Sequence, residues 1–186
     1  MFCGQCGKEW VEGTAFCAQC GSPICLADMK VPATSQTWLT KIIALIFLLC
    51  SMGLFFASTF NPAFSVEGRG EWMGSYCVLL GWLGMITFPP AGLTWLANPA
   101  SAAAWITFRV PMASFVFSII AVLIGASFLL FIGTGFPIDE AGHTAPITEV
   151  HLGYWLWLAS MVVMLLGNGI QMIALYWQQQ RRRNVP

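Results

Sequence analysis

Long stretches of this chain are apolar without interruption, rather than alternating with polar residues at the period of a strand or a surface helix. Trp38 to Ser58, Val110 to Ile132 and Tyr154 to Trp177 are the clearest of these runs. Each is close to the ~20 residues that carry a helix across ~30 Å of hydrocarbon. Aromatic residues mark their ends: Trp38, Tyr154, Trp155 and Trp157, then Tyr176 and Trp177. Lys41 lies in the first turn of the first run, where its stem can carry the ammonium to the headgroups. A further apolar stretch, Glu71 to Arg109, is too long for one straight helix and is broken at Pro89-Pro90 and at Asn98-Pro99. One reading is a kinked span from about Tyr76 to Trp95, then an interfacial helix with Asn98 at its N-cap and Pro99 in its first turn. The other is a discontinuous crossing, with one half-helix from Trp72 to Phe88 and another reaching Phe108. Both predict an all-α membrane protein with a four-helix transmembrane bundle over residues 38–178, its spans at about 38–58, 72–108, 110–132 and 154–177.

The first 25 residues follow a different pattern. In FCGQCGKEWVEGTAFCAQCGSPI, Cys3 and Cys6 form one C-x2-C pair and Cys17 and Cys20 another, each followed by glycine. Two intervening residues let a tight turn aim both sulfurs at one point, and Gly7 and Gly21 permit the positive φ such a knuckle needs. Four thiolates complete a closed tetrahedral site whose role is structural, since no position is left open for water. So short a segment has little core, and metal binding supplies much of its folding free energy. The segment resembles the short zinc-ribbon family of bacteria and archaea, with two CxxCG knuckles and an aromatic before the second, here Phe16. The resemblance implies structural zinc on Cys3, Cys6, Cys17 and Cys20; iron in a rubredoxin-like site is the alternative, though the loop between the knuckles is short for it. Cys25 lies outside the pattern. Residues 26–37 read as a linker and residues 179–186 as a basic tail.

Composition agrees with burial in lipid: 58% of residues are hydrophobic and only 9% charged. The formal net charge is zero, but its placement is uneven. With four crossings, Lys8, Lys30, Lys41, Arg109, Arg181, Arg182 and Arg183 fall on one side and Arg69 alone on the other. Glu67, Glu71, Asp139, Glu140 and Glu149 share the side of Arg69. This bias predicts that both termini are cytosolic. The first residues have no basic n-region, apolar h-region or cleavage site, so no removable signal peptide is expected and the thiols stay in a reducing compartment. YCVLLGWLGMI from Tyr76 to Ile86, with WLANP from Trp95 to Pro99, resembles a pattern in small bacterial membrane proteins of unassigned function, which implies a bacterial inner membrane.

The secure spans hold no Asp, Glu, His or Arg in their interiors, which argues against proton-coupled transport. Asn168 and Gln171 are the polar side chains inside the last span and are expected to bond across helices. Ser114, Ser118, Ala121 and Gly125 give the third run a small-residue stripe suited to close packing. Asn98 is the sharper candidate, because a broken crossing there would expose backbone groups at membrane depth. His143 and His151 share a loop with Asp139, Glu140 and Glu149, a set that can hold a metal but is more often only solvated. No nucleophile or phosphate-loop motif is recognisable, so no enzyme is expected. Lys8 and Lys30 are opposed by Glu9, Glu12 and Asp28, so nucleic acid is not an expected partner. The resulting expectation is a binding, regulatory or protective module, toxin immunity being one form, that contacts a protein through its ribbon, with Trp10 and Phe16 as contact aromatics. The rival is an oligomeric channel or transporter using the broken segment around Asn98.

Overall fold

The computed structural model describes residues 5–9, 16–17, 19–21, 36–139, 141 and 143–183. The chain divides into two compact units, Met1–Trp38 and Leu39–Pro186. Cys3, Trp10, Cys25, most of the 26–37 linker, Glu140 and the last residues of the tail lie outside the described residues.

Three helices are long and apolar enough to cross a membrane: α1 (Gln36–Thr59), α5 (Pro111–Ser127, continued by a 3₁₀ turn to Phe131) and α6 (Leu152–Arg183). The 32 residues of α6 correspond to ~48 Å of helix, so it outruns a ~30 Å hydrocarbon layer. The buried residues of α5 are Ser114, Ser118, Ala121 and Gly125, a face of small side chains that lets neighbouring helices approach. Hydroxyls and amides tie the helices together. Ser51 of α1 donates to the Ser160 carbonyl of α6 at 2.7 Å, and Asn168 Nδ2 donates to Ser114 Oγ and Ser118 Oγ at 2.8 and 2.9 Å. Gly167 admits the Phe47 ring, which any Cβ there would displace.

Residues 72–108 are not one helix. They form α2 (Gly74–Thr87), a single turn α3 (Pro89–Gly92), a 3₁₀ turn (Leu93–Leu96) and α4 (Ala97–Ile106). The prolines lack the N–H that would carry α2 onward, and Gly92 packs directly on the Gly84 backbone. That turns the chain back along α2, where the Trp95 indole lies on Gly81 and donates to the Val78 carbonyl at 2.9 Å. Trp72, two residues before α2, and Phe88, just after it, lie 5.3 and 6.0 Å from the Phe136 ring. α4 then enters the bundle, Trp105 donating to Ser51 Oγ at 3.0 Å and Ala104 accepting from Ser114 Oγ at 2.8 Å.

The expectation of an all-α fold is corrected by a small antiparallel sheet in the order β2-β1-β4-β3. Its strands are β1 (Pro62–Val66), β2 (Gly70–Met73), β3 (Gly135–Pro137) and β4 (Thr144–Val150), which occupy the two segments expected to be loops. Phe64, Val66 and Ile147 turn inward from the sheet and meet Phe128 and Tyr154 at the ends of α5 and α6. Ser65 and Thr148 alternate with these residues and stay at least partly exposed. The sheet therefore caps one end of the helices.

Candidate metal centre and apolar cavity

In the N-terminal unit the sulfurs of Cys6, Cys17 and Cys20 all lie within 4.8 Å of one another. Cys6 and Cys17 are 3.7 Å apart. Metal–sulfur bonds of ~2.3 Å in a tetrahedron put neighbouring sulfurs roughly 3.8 Å apart, so the spacing fits a thiolate-bound metal ion. The knuckles have the required backbone: Gly7 and Gly21 have φ of 70° and 67°, and Gly21 N–H donates to the Cys17 carbonyl at 2.9 Å. Cys17 is buried while Cys6 and Cys20 are exposed. Cys3, the fourth ligand expected from the spacing, lies outside the described residues. Phe16, beside Cys17, is 61% exposed, so its ring faces outward from the ribbon.

The polar side chains expected within the membrane unit are in different settings. Asn168 is fully buried and bonded to Ser114 and Ser118, while its Oδ1 has no partner among the described residues. Gln171, three residues on, is half-buried. Asn98, in the first turn of α4, accepts a 2.8 Å hydrogen bond from Trp157 Nε1 at Oδ1. That donor fixes the amide orientation, leaving Nδ2 as the free-facing end.

Asn98 lines a cavity of about 370 Å³ whose walls come from α2, the α3 turn, the sheet and the ends of α5 and α6. No local sequence pattern marks this cavity, because it is closed by elements distant in the chain. Phe64 and Phe136 of the sheet, Phe128 and Trp157 of the bundle, and Leu80 and Ala91 opposite them contribute apolar surface. Several of the polar groups along the wall are already engaged. Ser58 and Thr94 hydroxyls donate to carbonyls three residues back at 2.6 Å, and the Tyr154 hydroxyl donates to the Gly125 carbonyl at 3.2 Å.

The histidines expected to share one acidic loop site are separated into two pairs. His143 Nδ1 bonds Asp139 Oδ2 at 2.6 Å, and this ring holds the exposed Asp139 carboxyl below its ordinary range, helped by backbone N–H groups and weakly by Arg69. His151 Nε2 lies 2.5 Å from Ser65 Oγ across the sheet, with Glu149 at 3.9 Å from the same nitrogen. A Ser–His–carboxylate relay needs the carboxylate on the opposite ring nitrogen, where it holds the tautomer; here both partners crowd Nε2. The pair therefore reads as a strand-to-strand hydrogen bond. Among the described residues, only the cysteine cluster brings three metal-ligating side chains together.

No protein-family model, curated protein or solved structure matches the chain.

Proposed function

We propose that this chain is an integral protein of the bacterial inner membrane that acts by binding, with a zinc-loaded ribbon on the cytosolic side as its docking module. The observation that carries the reading is the exposed Phe16 beside three convergent cysteine sulfurs. In a ribbon whose folding is supplied by metal, an aromatic ring left in water is available for a protein contact. The scarcity of basic side chains around it, with Lys8 beside Glu9, disfavours a nucleic-acid partner. A regulatory or protective role, including immunity to a membrane-acting toxin, belongs to this class, and no catalytic step is proposed.

The test compares intact chain, Cys17→Ser and Phe16→Ala in mild detergent, with zinc content and captured partner measured on each. Phe16→Ala is expected to retain zinc and lose the partner, whereas Cys17→Ser loses both. A partner held equally by all three sinks the docking reading.

Transport is the second reading, favoured by the helical break between Phe88 and Ala97 with Asn98 beside it. It requires that Asn98→Ala alter flux in vesicles while assembly is unchanged. The buried polar residues Ser114, Ser118 and Asn168 bond one another rather than lining a wet path, which favours binding.

A further inference from the structure

We infer that the cavity between α2 and the bundle binds one acyl chain of a bilayer phospholipid, entering sideways past the rim of α2. The inference rests on the membrane reading above but not on the ribbon's docking role.

Four observations converge on this occupant. The volume, about 370 Å³, is that of a small-ligand pocket, and its walls are mainly aromatic and aliphatic. Water is a poor filling, because a buried water needs two to four polar partners. The Ser58, Thr94 and Tyr154 hydroxyls and the Trp95 indole already donate to backbone carbonyls, which leaves Asn98 Nδ2 among few donors for water.

Access is lateral. Tyr76, Leu80 and Leu83 line the cavity yet are 58%, 52% and 41% exposed, so its rim continues into the outer apolar face of α2 at Leu79, Trp82 and Ile86. That face belongs to a unit with three helices long and apolar enough to cross a membrane, where hydrocarbon is the medium that would cover it. A lipid chain is the apolar molecule at hand on such a surface.

One polar group then selects among apolar guests. Asn98 Oδ1 is held by Trp157, and among the described residues no acceptor bonds Nδ2. An N–H donor beside an apolar cavity suits the ester carbonyl at the head of an acyl chain, which a plain hydrocarbon lacks. Gly81 and Gly84, with Gly92 and Trp95 packed on them, form part of the cavity wall.

The full chain is reconstituted in phosphatidylcholine vesicles carrying a trace of phosphatidylcholine with a mid-chain diazirine, irradiated, and mapped by peptide mass spectrometry. Adducts are expected on the buried wall residues Phe128 and Tyr154 as well as on the outer residues Leu79 and Ile86. Cys77→Trp and, at the exposed end of α2, Thr87→Phe each crowd the chain out of about two methylenes of contact, so wall adducts fall roughly tenfold against outer ones. Thr87→Phe keeps the test valid should Cys77→Trp fail to assemble. Adducts confined to Leu79 and Ile86 mean surrounding lipid only and overturn the inference, as do wall adducts undiminished in both folded variants. Adducts nowhere on the chain overturn the membrane reading itself and the inference with it.

Discussion

Asn168 shows how a single polar side chain works inside an apolar bundle. Its Nδ2 bonds Ser114 and Ser118, whose hydroxyls donate in turn to the Ala104 and Ser114 carbonyls, so α4, α5 and α6 are fixed in register by one network. Removing the amide leaves two hydroxyl acceptors underused and a small void. Interhelical hydrogen bonds in membranes contribute about 0.6 kcal/mol each, and the void adds to that, so Asn168→Ala should destabilise the protein by roughly 1–2 kcal/mol. Reversible unfolding in mixed micelles measures this; an unchanged midpoint would mean the network is incidental. Asp139 acts at the opposite extreme, on the surface. Its carboxyl is lowered first by the His143 ring, so the pairing supports the β3–β4 connection above the ordinary carboxylate range and is lost as pH falls through the lowered value. In His143→Ala the Asp139 titration should move back up toward ~3.9, read by carboxyl carbon NMR; no upward movement would assign the lowering to the backbone N–H groups instead.

At the scale of elements, the turn between α2 and α4 decides the shape of the membrane unit. A Cβ on Gly92 would strike the Gly84 backbone, and the Pro89-Pro90 step prevents α2 from continuing. Gly92→Val should therefore push α3 off α2, costing at least ~1–3 kcal/mol of overpacking and lifting Trp95 from its bond to the Val78 carbonyl. A changed tryptophan emission together with a lowered unfolding midpoint is the expected signature, and a variant with native fluorescence and stability would show that the contact can relax. The break itself was legible in the sequence, because proline carries its backbone constraint wherever it stands. What filled the break was not, since Trp95 packs on Gly81 through a turn that no local pattern encodes. The three long spans were legible for the opposite reason: length and apolarity are local properties. The sheet was missed because its strands are only 3 to 7 residues long and carry Pro62, Pro137 and Pro146, which read as loop residues. Alternation in PAFSV and ITEV, with the Gly68 and Gly70 turn between the first two strands, was the signal available.

For the whole molecule, the charge pattern and the fold make one prediction about orientation. The cysteine spacing announced the ribbon ligands, and the sulfurs of Cys6, Cys17 and Cys20 do converge, but the cavity was invisible because its walls join residues from Ser58 to Trp157. The sheet carries Glu67, Arg69, Glu71 and Glu149, whereas α6 ends in Arg181 to Arg183 at its opposite end. Arginines at a helix end favour the side from which the chain is inserted, while carboxylates exert little pull, so the pattern predicts the α6 terminus in the cytosol and the sheet outside. A cysteine at Arg69 should then react with a membrane-impermeant maleimide in right-side-out vesicles, and one at Arg183 only in inverted vesicles, each measured against the unsubstituted chain to subtract its native thiols. The reverse pattern would put the ribbon in an oxidising compartment, where its cysteines would form disulfides instead of holding metal, and would remove the basis for a cytosolic docking role. Labelling as expected would leave the ribbon in a reducing compartment, where its thiolates can keep a metal bound.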